Sequence, residues 1–396
     1  MTRPPPSLIS RAAAVLDRTA ARFIGDRIGR AGAGSSSRAA MPVRDMQDAV
    51  LRMREFAYHY NDGTQAAPGL FFPTPTRPAV TETQVGRGPL GSTQWDLQFS
   101  SDYVAFLPAA RDWYPRYLAN NTAHARLWSK PVAHGAAPRP VMVLIHGWGA
   151  GEYWMMEQPF ETSYWLHHGF DVCAFVLPFH GPRTPETGIG NNGSGLGGLG
   201  KLRNGPLFPS ANIVRTNEAF GQAIYDLRAL TEHLRWRSGA SANVPVGVMG
   251  MSLGGYTAAL WASVTNDLAF AVAVIPAVSM SELMWTHGSG TVRRKRARDH
   301  GVDQDLLDQA FAVHSPLARP ARLPTERLFV IAGHGDRITP PAQAERLAAH
   351  WGCEVTWFNG GHLVQVGRHQ AFSAVRKQLA SLEIIRPQGS YAGDAV

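Results

Sequence analysis

The chain reads as an α/β protein, with a mostly parallel, eight-stranded sheet flanked by helices, and three observations predict it. From Val141 to Leu382, continuous apolar runs alternate with amphipathic helical stretches. That alternation is the pattern of a parallel sheet covered on both faces. The 396 residues are 44% hydrophobic and 17% charged, enough for a substantial core and too few charges for a disordered or coiled-coil chain. Finally, the run Val244 to Met249 passes through Gly250-Met251-Ser252-Leu253-Gly254 into an Ala-rich helix, Gly254 to Val264.

Taken in order, residues 1–60 read as a helical N-terminal extension. Leu8, Ala12, Val15, Leu16, Ala20, Phe23, Ile24 and Ile28 recur at helical spacing on one face, with Arg11, Arg18, Arg22, Arg27 and Arg30 flanking it. A face of this kind suits peripheral contact with an anionic membrane through residues 8–30, or docking on the chain's own domain. The Gly32 to Ser37 linker interrupts it, and a second helix follows over Asp45 to Tyr60. A Pro-rich passage then opens the main domain, residues 61–385. Trp95, Leu97 and Phe99 alternate with polar residues, as does His124 to Lys130, predicting an antiparallel pair. Strands are expected at Val141–Ile145, Phe170–Leu177, Val244–Met249, Phe270–Ile275, Leu328–Ala332 and Glu354–Phe358. Helices are expected at Asn217–Arg237, Gly254–Val264, Pro341–His350 and His369–Leu382. Two stretches break the alternation. Arg183 to Pro209 is Gly-rich, and residues 277–322 form a helical, lid-like insertion carrying the basic cluster Arg293 to Arg298. Residues 386–396 read as a flexible tail.

Several function classes are excluded or weakened. The formal charge of +8 gathers in the N-terminal arm and the 293–298 cluster, without aromatic interleaving or a nucleic-acid motif. The prediction is therefore no nucleic-acid partner. Two distant cysteines, Cys173 and Cys353, make no disulfide framework. With no secretory h-region and no run of about 18 apolar residues, a cytoplasmic protein, peripheral to a membrane at most, is expected.

The chemistry starts at Ser252. In a strand–turn–helix context, G-x-S-x-G is a nucleophile elbow, whose tight turn lifts the serine hydroxyl above the sheet edge. Flanking glycines are needed because a Cβ there meets the neighbouring strand or helix. A serine needs a base and an acid that orients it. Strand Leu328 to Ala332 runs into Gly333-His334-Gly335-Asp336, and strand Glu354 to Phe358 runs into Asn359-Gly360-Gly361-His362. Asp336 is thus the predicted acid and His362 the base, with a helix cap as the alternative for Asp336 and His334 as a rival base. The loop Ile145-His146-Gly147-Trp148-Gly149 ends the first parallel strand. Backbone N–H groups of Trp148 and Leu253 are the predicted oxyanion hole. Trp154, Tyr256 and Trp285 are candidates for an apolar substrate pocket, with plain packing as the other reading. His146, His180, His334 and His362 show no tight ligand spacing, so no metal is expected.

With these residues in place, the chain over residues 124 to 383 resembles the α/β-hydrolase superfamily. It is similar to the bacterial esterase and dienelactone-hydrolase-like branch, and to α/β-hydrolase domain-containing proteins with Pro-x-x-Gly after the fourth strand and Gly-Gly-His at the histidine. Here those motifs are Pro178-Phe179-His180-Gly181 and Gly360-Gly361-His362. Many relatives instead end that strand with Asp-x-x-Gly-x-Gly. The resemblance implies an α/β-hydrolase fold, the Ser252–Asp336–His362 triad and no cofactor. It also implies cleavage of a small-molecule or lipid carboxylic ester. Alternatives are an acyltransferase or an amidase/peptidase using the same triad, or a non-catalytic, membrane-associated binding protein.

Overall fold

The computed structural model describes residues 6–31, 43–131, 138–185, 205, 207–237, 244–287 and 297–386. The Gly32–Ser37 linker, most of the Gly-rich run, Arg293 to Arg296 and the tail beyond Arg386 lie outside the described residues.

Among the described residues, ten strands make one sheet. They are β1 (Thr81–Arg87), β2 (Thr93–Ser100), β3 (Thr122–Ser129), β4 (Val141–Ile145), β5 (Asp171–Phe175), β6 (Val246–Met251), β7 (Ala271–Val274), β8 (Leu328–Gly333), β9 (Val355–Gly360) and β10 (Gln365–Val366). Their order is β1-β2-β3-β5-β4-β6-β7-β8-β9-β10. Strands β4 to β9 pair in parallel, while β1, β2, β3 and β10 pair antiparallel at the two margins. The predicted Trp95–Phe99 and His124–Lys130 pairing is present, Leu97 facing Ala125 in register. The expectation of eight strands is corrected to ten. The polar, largely exposed run of β1 carries no apolar alternation, and β10 is two residues long, so neither leaves a periodic trace.

The sheet divides two apolar layers, as alternation along β4 shows. Val141, Val143 and Ile145 join one cluster, whereas Met142 and Leu144 join the other. Helices α1 (Leu8–Ala31) and α2 (Val43–Asn61) precede the sheet. Helices α3 (Trp154–Glu157) and α4 (Thr162–His167) lie between β4 and β5, and α5 (Ile213–Trp236) between β5 and β6. Helix α6 (Leu253–Val264) follows β6, and α7 (Met280–His287) and α8 (Gln304–Phe311) lie between β7 and β8. Helix α9 (Pro341–Trp351) precedes β9, and α10 (Arg368–Ser381) ends the domain. The first layer is filled by α5, α6 and α9, the second by α4 and α10. Every residue of α6 is buried, which explains why it reads as apolar all round. Local chemistry sets the ends: Asn212 accepts from Arg215 N at 2.9 Å to start α5, and Gly352 in the left-handed region (φ 69°) ends α9.

Buried polar groups tie the N-terminal half to α5. Glu218 accepts from Tyr60 Oη at 2.6 Å, Tyr103 Oη at 2.8 Å, and the N–H groups of Phe106 and Leu107 at 2.8 and 3.0 Å. Burial raises its pKa, and these donors work against that rise. Beside it, Arg183 and Asp226 form an ion pair at 2.7 Å with no solvent exposure. Arg183 also donates to Asn120 O and Val176 O, as a buried guanidinium requires.

Helix α1 docks on the domain, one of the two readings of its sequence, through Ser10, Ala13, Ala14, Asp17 and Ala21, while Leu8, Ile9, Val15 and Leu16 in its first turns face outward. Leu8 is 82% exposed and Val15 60%, while Asp17 is fully buried. Small inward side chains let the helix approach closely. A Cβ on Gly335 would lie 2.1 Å from Ser10 O, and one on Gly361 would lie 2.4 Å from Asp17 Oδ2. No helix among the described residues is long and apolar enough to cross a membrane.

Candidate active site

Strand β6 delivers Ser252 into a turn that few residues tolerate. Its backbone sits at φ 56° and ψ −111°, a conformation costing on the order of 1–3 kcal/mol. The surroundings hold it there: Ser252 N donates to Val274 O at 3.0 Å, while Ser252 O accepts from Tyr256 N at 3.0 Å and Ala277 N at 3.2 Å. The flanking glycines behave as predicted. A Cβ on Gly250 would stand 2.0 Å from Gly254 O, and a Cβ on Gly254 would stand 1.9 Å from Ile145 O.

Two strands along the sheet, β8 ends and the chain turns through Asp336. This carboxylate is 1% exposed. Its Oδ1 accepts from the N–H groups of Ile338 and Thr339 at 2.9 and 2.8 Å. Its Oδ2 faces His362 Nδ1 at 2.8 Å and accepts from Thr339 Oγ1 at 2.9 Å. A carboxylate only accepts, so Nδ1 carries the imidazole proton and Nε2 is the basic atom. Helix α9 starts at Pro341 with Pro340 as its cap, so the helix-cap alternative for Asp336 does not describe its role. Backbone bonds lock the acid and base loops together: Gly335 N donates to Gly360 O at 2.7 Å and His334 N to Phe358 O at 3.2 Å. His334, the rival base, stacks on Trp357 with ring centroids 4.9 Å apart.

Burial alone pulls the His362 imidazole towards its neutral form. The Asp336 carboxylate, the hydrogen bond to it and the Asp17 carboxylate on α1 outweigh that effect, and the pKa stands above the ordinary histidine value. The acid–base half of the relay is thus closed. Among the described residues no hydrogen bond joins Ser252 Oγ to the imidazole, whose Nδ1 faces Asp336 Oδ2.

The loop after β4 lies against the serine, a Cβ on Gly147 falling 3.4 Å from Ser252 Cβ. His146 orients this loop. Leu177 N donates to His146 Nε2 at 3.1 Å, so Nδ1 carries the proton and donates to Gly147 O at 2.7 Å. Burial depresses the pKa of this ring to about 4, keeping it neutral and in that tautomer. In a trans peptide C=O and N–H point in opposite directions. Holding Gly147 O therefore turns the Trp148 N–H away from His146, fixing one predicted oxyanion donor. The other, Leu253 N–H, opens α6 directly after the serine. Replacing His146 by Ala should lower kcat about a hundredfold with little change in KM, comparable to weakening one oxyanion donor. Steady-state kinetics on the variant measure this.

The three pocket candidates separate. Tyr256 is corrected to a core residue: it is 1% exposed, its hydroxyl donates to His314 Nδ1 at 2.8 Å, and its ring packs on Phe220. Trp154 is 63% exposed on α3. Trp285 is partly buried on α7, with the Arg298 guanidinium 5.4 Å from its ring. Residues the sequence reading did not single out also serve the site. Thr339 braces Asp336, and Asp17 reaches the His362 loop from α1. Asp17 stands out in the sequence only as a charge interrupting apolar spacing.

The prolyl oligopeptidase family model matches residues 217–376, the stretch holding all three triad candidates. The acetyl xylan esterase from Paenibacillus sp. R4 shares the fold at 17% identity and TM-score 0.54, over 86% of this chain and 99% of that one. The Uncharacterized protein MT2702 of Mycobacterium tuberculosis (strain CDC 1551 / Oshkosh) is 31% identical over 313 residues, covering 77% of this chain and 68% of that protein. The chain belongs to the α/β-hydrolase superfamily. A second mycobacterial relative, the Uncharacterized protein Rv2627c of strain ATCC 25618 / H37Rv, is 32% identical over 260 residues, 64% of this chain and 56% of that protein.

Proposed function

We propose that this α/β-hydrolase is a serine hydrolase that cleaves carboxylic esters through an acyl-Ser252 intermediate. The observation that carries the reading is the backbone of Ser252. A buried serine with an ordinary packing role has no need of φ 56° and ψ −111°, and such strain collects where a side chain must be presented. In the proposed reaction, His362 Nε2 takes the Ser252 hydroxyl proton as Oγ bonds to the carbonyl carbon. The N–H groups of Leu253 and Trp148 receive the charge that develops on the carbonyl oxygen. The tetrahedral centre collapses, the ester C–O bond breaks, and His362 returns the proton to the departing alkoxide. Water, deprotonated by the same imidazole, then attacks the acyl carbon and frees Ser252. Asp336 stays ionised throughout and stabilises the imidazolium.

The acetyl xylan esterase likeness supports the ester reading, while the prolyl oligopeptidase family model supports an amide or peptide substrate on the same triad. Rates on p-nitrophenyl esters of increasing acyl length, set against matching p-nitroanilides, separate them. The ester reading expects turnover of short p-nitrophenyl esters with Ser252→Ala at background. Faster cleavage of the anilides would overturn it in favour of a peptidase. Dominant alkyl-ester product on adding an alcohol acceptor would assign acyl transfer instead.

A further inference from the structure

Helix α1 lies far from the triad in sequence, yet a buried charge on it, Asp17, sits directly behind the base. Asp17 is fully buried. Its Oδ2 accepts from His362 N at 2.6 Å and from Arg337 N at 3.2 Å, and its Oδ1 accepts from Leu363 N at 3.2 Å. One carboxylate thus grips both the base loop and the acid loop. Two turns earlier on the same face, Ser10 Oγ accepts from Gly360 N at 3.1 Å. The loops are shaped to receive the helix, since any side chain at Gly335 or Gly361 would run into Ser10 or Asp17.

We propose that Asp17 is a positioning residue for the catalytic histidine: by holding the backbone of His362, Leu363 and Arg337, it makes helix α1 a working part of the active site. The inference rests on the triad reading above. A carboxylate accepting three backbone N–H groups fixes where the imidazole emerges, and misplacing a catalytic group by about 1 Å costs on the order of a hundredfold in rate. Its charge acts on the ring as well. The charged groups facing His362 are Asp336 from the acid loop and Asp17 from α1, and both favour the imidazolium against burial. Removing the Asp17 charge therefore lowers the His362 pKa. Because the neutral ring is the active base, the acid limb of the pH–rate profile then moves to lower pH.

The experiment uses the full chain with Asp17→Asn, which keeps the volume, and Asp17→Ser, which keeps one acceptor and leaves room for water. Arg18→Ala on the outward face of α1 is the control. Two readouts run together: kcat and KM against pH on a p-nitrophenyl ester, and the His362 ring titration followed by NMR in a Ser252→Ala background. The expected result is a fall of about ten- to a hundredfold in kcat with KM nearly unchanged, a lower His362 pKa in both Asp17 variants, and neither change in Arg18→Ala. A lowered melting temperature with an unmoved acid limb and unmoved His362 titration would overturn the proposal, leaving Asp17 a purely structural anchor. The NMR titration needs no turnover, so it separates failure of this inference from failure of the hydrolase reading.

Discussion

Replacing Ser252 by Ala is expected to lower kcat by about five to six orders of magnitude, while the fold and its melting temperature are retained or improved. The size follows from the way a triad works: with no nucleophile, neither His362 nor Asp336 has a proton transfer to assist, and residual rate comes from the oxyanion donors and binding alone. The stability side follows from the backbone. Ser252 is held at φ 56° by its N–H donating to Val274 O and its C=O accepting from Tyr256 N and Ala277 N, and none of these involves the hydroxyl. Alanine keeps them all. Progress curves on a p-nitrophenyl ester together with thermal denaturation measure both effects, and activity within tenfold of the parent would contradict the assigned role.

Gly254→Ala should give the largest loss of stability among single methyl additions near the site. Its Cβ would stand 1.9 Å from Ile145 O, 2.5 Å from Ile145 C and 2.7 Å from His146 O, all backbone atoms of β4 and the oxyanion loop. Flexible side chains can yield to such an intrusion, but a central strand cannot. Separation of α6 from β4 is the only relief, and the expected cost is about 3 kcal/mol or more. Chemical denaturation would show it as a lower midpoint. Ala in place of Gly301, whose Cβ meets nothing within 4 Å, is a useful contrast, its cost limited to the strain of φ 81°.

The contrast between these two glycines shows what was legible in the sequence. Gly250 and Gly254 were readable because local chemistry dictates them: a serine between two glycines, after a β-branched run and before an Ala-rich one, has few other structural meanings. Asp336 and His362 were readable for a related reason, since each follows a buried strand whose apolar run ends abruptly. The role of Asp17 was not. It depends on a contact 345 residues away in sequence, and the bulky residues Leu8, Val15 and Leu16 in the first turns of α1 face outward, so apolar spacing there does not mark the docked side. Tyr256 failed in the opposite sense. An aromatic after the nucleophile can line a pocket or pack, and here it lies in a helix buried along its whole length, its hydroxyl and ring meeting His314 and Phe220. Edge strands β1 and β10 were invisible because exposed pairing needs little apolar patterning.

The central claim is that Ser252 is a nucleophile activated by His362. Treatment of the full chain with a fluorophosphonate, followed by digestion and peptide mass mapping, tests it most directly. A single phosphonate adduct on Ser252, lost when His362 is replaced by Ala, is the predicted result. An unmodified Ser252 peptide at full probe occupancy elsewhere, or labelling that proceeds equally fast without the imidazole, would contradict it.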